Sequence, residues 1–172
     1  MHSPDHNDSS LHLHLPTPDA TDVLGANLAA CLAPGLVIWL DGELGAGKTA
    51  LVRAVLRALG HVGPVKSPTY TLVELYKLSS IYCYHFDFYR FNEPGEFQDA
   101  GLGEYFDGAA VCFVEWPDKA AGYVPDADLR IRLTHAGAAR DAALVAGSAQ
   151  GAVCLACLRS RRAAPSTSAG VG

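Results

Sequence analysis

The chain has little of what a membrane protein or a nucleic-acid-binding protein needs. Its longest uninterrupted apolar run, Ala152 to Leu158, has seven residues, far fewer than the ~20 that span a bilayer as a helix. Only 18% of its 172 residues are charged, and the 18 acidic residues outnumber the 13 basic ones, giving a net charge of −5. This balance argues against a broad basic face for nucleic acid. The 49% hydrophobic fraction excludes a wholly disordered chain, and the length predicts one domain with its own core.

Cysteine is scarce, and its arrangement matches no metal-binding pattern. Only Cys154 and Cys157 form a CxxC; no second CxxC exists, and no histidine follows at zinc spacing. Cys31, Cys83 and Cys112 stand singly among apolar residues, where a reduced thiol packs as a small hydrophobic group. The start of the chain also lacks a basic segment followed by an apolar stretch, so a secretory signal is not indicated. We therefore predict a soluble, cytoplasmic protein with reduced cysteines.

The two ends differ in composition from the rest of the chain. Residues 1–16 hold four of the seven histidines, which are His2, His6, His12 and His14. Their spacing builds no single metal site, so we predict a disordered, histidine-rich tail. Residues 159–172 combine three arginines with small residues and predict a disordered basic tail. These boundaries leave residues 17–158 as the folded domain.

Helical and strand-like patterns alternate through the folded domain. Helices are predicted over 19–31, 48–59 and 94–106. Strands are predicted over 36–40, 70–76, 81–88, 111–114, 129–133, 142–146 and 152–158. The strands at 36–40 and 111–114 are continuous apolar runs, which is typical of strands buried on both faces of a parallel sheet. The order of elements predicts an α/β fold, a three-layer sandwich with a largely parallel central sheet.

A glycine-rich turn lies between the strand predicted at 36–40 and the helix predicted at 48–59. Residues 42–49, Gly-Glu-Leu-Gly-Ala-Gly-Lys-Thr, match GxxxxGK[ST] at every fixed position. Glycines let the backbone point successive N–H groups at phosphate oxygens, and the helix N-terminus attracts the same anion. In this motif Lys48 reaches the β- and γ-phosphates, and the Thr49 hydroxyl binds Mg²⁺. The sequence therefore predicts a P-loop NTPase-like fold that binds ATP with Mg²⁺.

Two acids follow strand-like runs and are candidates for nucleotide chemistry. Glu115 directly follows the apolar strand at 111–114, in the form of a Walker B element, and Asp87 directly follows the strand-like run at 82–86. Carboxylates at this edge of a parallel sheet can organise Mg²⁺ or the attacking water. An ion pair with Arg90 is the alternative for Asp87. We expect His85 to be packed or hydrogen-bonded, and residues 65–71 to form either a switch loop or a plain connection.

Four segments together resemble one known family. They are residues 42–49, 65–74 (Val-Lys-Ser-Pro-Thr-Tyr-Thr-Leu-Val-Glu), 85–90 (His-Phe-Asp-Phe-Tyr-Arg) and 114–117 (Val-Glu-Trp-Pro). In this order they closely resemble the bacterial TsaE family, the ATPase of tRNA threonylcarbamoyladenosine biosynthesis. The resemblance runs from about Thr21 to Arg140. It implies an ATPase that supports modification of the adenosine beside the anticodon, working with TsaD-like and TsaB-like proteins.

The resemblance also implies a role for individual residues. Thr49 and Glu115 would bind Mg²⁺, Lys48 would bind phosphate, and Asp87 would be needed for hydrolysis, with residues 67–71 as a switch-like segment. The positions expected to contact the nucleotide are Thr21, Glu43, Leu44, Gly45, Ala46, Gly47, Lys48, Thr49, Ala50 and Arg140.

The acidic residues are concentrated near the predicted site. Nine of the 18 acids fall within residues 93–128, where Lys119 is the single base. We therefore predict that tRNA is met through the partner proteins rather than gripped directly. A solvated surface and a docking surface for a basic partner both remain open for the acidic helix predicted at 94–106.

Two other functions are compatible with the same motifs. One is a small-molecule P-loop kinase, although Arg130 and Arg132 fall in strand-like sequence rather than in a lid. The other is a binding module in which ATP only sets the shape of a partner surface. No Asn-Lys-x-Asp guanine-reading motif occurs, which favours ATP over GTP.

Overall fold

The structure is a computed structural model that describes residues 9–163. Its helices are α1 (Pro18–Ala30), α2 (Lys48–Ala58), α3 (Glu96–Asp99) and α4 (Ala149–Ala163). Its strands are β1 (Ser10–Leu15), β2 (Val37–Asp41), β3 (Val73–Lys77), β4 (Tyr82–Asp87), β5 (Val111–Glu115), β6 (Leu129–Ala136) and β7 (Ala139–Ala146).

All seven of these strands form one sheet, in the order β1-β7-β6-β2-β5-β4-β3. The four central strands, β6, β2, β5 and β4, run parallel, whereas β1, β7 and β3 pair antiparallel with their neighbours. The apolar β2 and β5 lie side by side in the middle, as wholly apolar strands do in a covered sheet. The predicted α/β sandwich with a largely parallel centre is confirmed.

Two hydrophobic clusters cover the two faces of the sheet. On one face, α1, α2 and α4 pack on residues such as Ile38, Leu129 and Leu144. On the other face, an aromatic cluster that includes Phe86, Phe88 and Phe97 covers β2, β4 and β5. Both faces of the sheet are thus covered. The carboxyl ends of the four parallel strands lie at one edge of the sheet, which is where ligands of such sheets bind.

The N-terminal prediction is wrong for the part of the tail that the structure describes. Residues 10–15 form β1, which pairs with β7 at the edge of the sheet. Leu13 and Leu15 are buried in the core, whereas His12 and His14 are exposed on the opposite face. This alternation is the period-2 pattern of a half-buried strand, and the histidine content obscured it. Residues 1–8 lie outside the described residues.

The C-terminal prediction is also wrong, because the expected strand at 152–158 is part of α4. Gly151, Cys154, Leu155 and Leu158 form the buried stripe of this helix, with the three- and four-residue spacing of an amphipathic helix. The helix continues to Ala163, so residues 159–163 are not a disordered tail. Residues 164–172 lie outside the described residues.

The cysteine prediction fails at Cys31, which forms a disulfide with Cys157. Cys31 follows the last residue of α1, and Cys157 lies on α4. The two helices pack together on one face of the sheet, so the pairing arises from the tertiary fold and not from the CxxC spacing. Cys83, Cys112 and Cys154 are free and buried, as small hydrophobic groups are.

The acidic helix predicted over 94–106 is two short elements. α3 has four residues, and after Gly101, in a left-handed conformation, a 3₁₀ helix follows from Leu102 to Tyr105. Their buried side chains, Phe97 and Leu102, complete the aromatic cluster. Within residues 9–163, every helix is too short or too polar to cross a membrane.

Candidate functional site

The loop over residues 42–49 joins the end of β2 to the start of α2. Gly47 precedes α2 with a φ of 107°, and Gly45 has a φ of 77°. Residues with a side chain rarely adopt such φ angles, so the glycines permit the tight turn of this loop. Among residues 9–163, no side chain caps the first turn of α2. Its N–H groups and the positive end of its dipole are therefore available to meet an anion.

Lys48 begins α2 and turns back over the loop. Its Nζ atom donates a hydrogen bond to the Gly42 carbonyl and lies 3.8 Å from the centroid of the Trp116 ring. The side chain is only 5% exposed. Burial lowers the pKa of Lys48, and the nearby Glu115 carboxylate opposes this shift. The ammonium group is thus held at the mouth of the phosphate loop by groups that a phosphate could replace.

Glu115 lies next to Thr49 at the carboxyl end of β5. The Thr49 hydroxyl is 3.0 Å from Glu115 Oε2 and 3.3 Å from Oε1. Glu115 also accepts hydrogen bonds from His85 Nε2 at 2.6 Å and from Ser67 Oγ at 3.2 Å. Burial raises the pKa of Glu115, but these hydrogen bonds outweigh burial and leave the pKa below its ordinary value. The carboxylate is therefore kept ionised despite being buried.

Asp87 pairs with Glu115 across the parallel strands β4 and β5. Its Oδ2 accepts a hydrogen bond from Ser67, and its Oδ1 accepts one from the Tyr89 N–H at 2.8 Å. Burial raises the pKa of Asp87, against the effect of these two donors. The alternative ion pair with Arg90 is not what the structure has, because the Arg90 guanidinium lies over the Tyr70 ring.

A cavity of about 350 Å³ brings most of the predicted residues together. From the loop and the start of α2 it is lined by Leu44, Gly45, Ala46, Gly47, Lys48, Thr49 and Ala50. From the strand ends and the 65–71 segment it is lined by Ser67, Thr69, Asp87 and Glu115. Hydroxyls, carboxylates and one ammonium group thus converge where the sequence predicts the phosphates to bind.

Three predicted nucleotide contacts lie outside this cavity. Glu43 lines a larger cavity of about 670 Å³ on the other side of the loop, where Trp116 forms a wall common to both. Arg140 reaches the loop from β7, where its Nη2 lies 3.3 Å from the Gly45 carbonyl oxygen. Thr21 lies in the first turns of α1 and lines neither cavity.

Three side chains of the site were not assigned there from the sequence. Trp116 covers Lys48, with its ring centroid 3.8 Å from Nζ. Arg53 lines the cavity and donates to the Val65 carbonyl at 3.0 Å, which ties α2 to the 65–71 segment. His85 is hydrogen-bonded, as expected, but its partner is the candidate Mg²⁺ ligand Glu115. Only the register of β4 on β5 reveals that contact.

The donor set fits Mg²⁺ bound with a nucleotide. Thr49 and Glu115 supply hydroxyl and carboxylate oxygens, the hard ligands that Mg²⁺ prefers. Among residues 9–163, no group of three His, Cys, Asp or Glu side chains could hold a metal ion by itself. In the usual mode of Mg²⁺ binding with a nucleotide, one or two protein ligands are completed by phosphate oxygens and water.

Comparisons with known proteins agree with these features. A family model described as "Threonylcarbamoyl adenosine biosynthesis protein TsaE" matches residues 15–142. The tRNA threonylcarbamoyladenosine biosynthesis protein TsaE of Haemophilus influenzae is 43% identical over 111 residues, which are 64% of this chain and 70% of that protein. The protein of the same name from Bacillus subtilis is 38% identical over 120 residues, covering 70% of this chain and 75% of that protein.

A solved structure is similar over nearly the whole described fold. The crystal structure of Bacillus subtilis YdiB aligns with a TM-score of 0.77 and 29% sequence identity. The alignment covers 89% of this chain and 96% of that one. The similarity therefore extends through the sheet and its helices and is not confined to the phosphate loop.

Proposed function

This chain belongs to the TsaE family, and from that premise we propose that it is an Mg²⁺-dependent ATPase required for threonylcarbamoyladenosine modification of tRNA. Curated members of the family carry the name tRNA threonylcarbamoyladenosine biosynthesis protein. The observation that carries the ATPase proposal is the contact of Thr49 with Glu115 at the uncapped start of α2. This contact joins a phosphate loop to a carboxylate in one cavity.

Each residue of the cavity has a distinct part in the proposed reaction. The N–H groups of residues 44–49 and the Lys48 ammonium bind the phosphates. Thr49 and Glu115 hold Mg²⁺, which when bound neutralises charge on the phosphate oxygens. Ionised Asp87 accepts a hydrogen bond from the attacking water and orients it toward the terminal phosphorus. Water and ATP then yield ADP, phosphate and a proton.

Segment 65–71 links both acids to the rest of the cavity. The single Ser67 hydroxyl lies within hydrogen-bonding distance of both Asp87 and Glu115, but it has one proton to donate. Nucleotide and Mg²⁺ would compete with Ser67 for these carboxylates. We propose that the segment responds to the bound nucleotide in this way, as switch loops do.

We propose that TsaD-like and TsaB-like proteins are the partners, and that they carry the tRNA. The acids concentrated within residues 93–128 leave that part of the chain poorly suited to an RNA backbone. The isolated protein should therefore show no specific retention of tRNA in a filter-binding assay at physiological salt. Tight binding of tRNA by the protein alone would contradict the indirect contact.

Reconstitution tests the function as a whole. Purified TsaD-like and TsaB-like proteins, tRNA and the substrates of the modification are combined in a reaction mixture that lacks only the ATPase. Adding this protein should restore threonylcarbamoyladenosine, measured by mass spectrometry of the nucleosides, whereas Lys48→Met should not. Failure of the wild type would contradict the proposal. Transfer of phosphate to a small acceptor in place of release into solution would instead identify a kinase.

A further inference from the structure

The sheet places His85 beside the candidate Mg²⁺ ligand. His85 and Asp87 are two residues apart on β4, so both side chains point to the same face. In the parallel register His85 pairs with Phe113 and Asp87 pairs with Glu115. His85 is thus the diagonal neighbour of Glu115, two residues deeper in the sheet. It is fully buried there.

The contact between the two side chains is a short, directed hydrogen bond. His85 Nε2 lies 2.6 Å from Glu115 Oε2, and an ionised carboxylate oxygen can only accept. The imidazole therefore carries its hydrogen on Nε2. Within the described part of the chain, Nδ1 has no hydrogen-bond partner. The hydrogen bond from Nε2 therefore joins the His85 ring to Glu115.

The two oxygens of Glu115 have unequal environments. Oε2 receives His85 at 2.6 Å, Thr49 at 3.0 Å and Ser67 at 3.2 Å, whereas Oε1 has the longer contact with Thr49 at 3.3 Å. Thr49 lies in the first turn of α2 and Ser67 in the 65–71 segment, where each would meet the nucleotide, and both are expected to change partners when it binds. His85 lies within a strand of the core and has no such reason to move.

We propose that His85 is the positioning residue of the Mg²⁺ site, an inference that rests on the proposed Mg²⁺-dependent function. By holding Oε2 from the sheet side, His85 would fix the rotation of the carboxylate and leave Oε1 available to a cation. Side chains that orient a metal ligand in this way typically change metal affinity by about 10–100-fold when they are removed. Their removal need not change the binding of the nucleotide without metal.

A pair of variants of similar length separates the hydrogen bond from packing. Glutamine at position 85 can place an N–H near the position of Nε2, whereas methionine has nearly the same shape and no donor. Affinity for a non-hydrolysable ATP analogue is measured by calorimetry, first without Mg²⁺ and then over a series of Mg²⁺ concentrations. Cys83→Ala, another buried change on β4, controls for general loosening of the strand.

The expected result is a selective loss of Mg²⁺ dependence. Without Mg²⁺, all four proteins should bind the analogue with affinities within about 2-fold. With Mg²⁺, His85→Met should need about 10-fold more cation for half-maximal strengthening, while His85→Gln and Cys83→Ala stay near the wild type. A normal Mg²⁺ titration for His85→Met would overturn the inference alone. A wild type that binds the analogue independently of Mg²⁺ would contradict the proposed function itself.

A measurement on the wild-type protein tests the same proposal without requiring that a His85 variant folds. Long-range ¹H–¹⁵N spectra report which ring nitrogen of each histidine carries the hydrogen. The His85 signal should show hydrogen on Nε2, and it should shift more on adding Mg²⁺ with the analogue than on adding the analogue alone. Hydrogen on Nδ1, or equal shifts in the two additions, would overturn the assignment.

Discussion

The Lys48 ammonium lies over the face of Trp116, 3.8 Å from the ring centroid, while it donates to the Gly42 carbonyl. Trp116 follows directly after Glu115, in a left-handed backbone conformation with a φ of 58°. This conformation turns the chain sharply at the end of β5. The lysine proposed to bind phosphate therefore contacts the residue that directly follows the proposed Mg²⁺ ligand.

Replacing Lys48 by methionine should greatly weaken nucleotide binding. The substitution keeps the length of the side chain and removes the charge that pairs with the phosphates, at a cost of about 3 kcal/mol, or ~100-fold in affinity. In a Trp39→Phe background, Trp116 is the only tryptophan, since the chain has two. Its fluorescence should change on adding ATP, because Lys48 leaves the ring, and should stay constant in the Lys48→Met protein. Unchanged ATP affinity of that variant by calorimetry would contradict the phosphate-loop assignment.

Replacing Glu115 by glutamine should separate nucleotide binding from turnover. The amide keeps the shape but loses the charge that holds Mg²⁺, so we expect ATP binding without Mg²⁺ to persist. Phosphate release should fall by at least ~100-fold, as is typical when a metal ligand is lost. The same change at Glu104, an exposed residue outside the candidate cavity, is the matched control and should leave turnover close to normal. Equal losses of turnover in both variants would show that the loss of any negative charge has this effect, and would contradict the assignment of Glu115 as a Mg²⁺ ligand.

The parts of the site that lie within short segments could be predicted from the sequence. The phosphate loop follows a wholly apolar strand, and Glu115 and Asp87 each end a strand of the same parallel sheet. Since parallel strands end at one edge, these three features had to be near each other. The register of Asp87 on Glu115 makes the distance short, and that register is the link between the local pattern and the site.

The features that were missed depend on contacts between distant segments. His12 and His14 hid the alternation of β1, whose buried leucines pack only because β7 is beside them. The apolar run at 152–158 fits a strand by composition, and its helical spacing is recognisable once one face is known to be buried. The pairing of Cys31 with Cys157 joins residues 126 positions apart and has no local signal.

Turnover should fall as the pH decreases through the raised pKa of Asp87. Orienting water needs the ionised carboxylate, and burial raises this pKa above its ordinary value of 3.8. The acid limb of the kcat profile should therefore lie above pH 3.8. Asp87→Asn should be inactive across the range, with ATP binding retained. A kcat that is constant down to pH 3.8 would contradict an essential Asp87 carboxylate.

The same shift makes a prediction for folding stability. A carboxyl group with a raised pKa in the folded state favours folding when protonated. Its contribution is full below the unfolded value near 3.8 and is lost as the pH rises through the folded pKa. The amide of the Asp87→Asn variant does not titrate, so the stabilities of wild type and variant should differ by an amount that changes with pH over that window. Urea unfolding at a series of pH values measures this difference, and a constant value would contradict the shift.

Reducing the disulfide between Cys31 and Cys157 should lower the free energy of unfolding by about 5 kcal/mol. The bond closes a loop of 126 residues, and restricting so long a loop in the unfolded chain stabilises the fold by roughly that amount. Urea unfolding with and without a reductant measures the difference.

The oxidised, unfolded protein should show three reactive thiols, from Cys83, Cys112 and Cys154, and the reduced protein all five. Cys157→Ser should be as stable as the reduced wild type and insensitive to reductant. Cys154→Ala, on the same helix, should keep the response to reductant, because the Cys154 thiol is not part of the disulfide. A Cys154→Ala protein that is insensitive to reductant would contradict the pairing, since it would show that Cys154 and not Cys157 forms the bond.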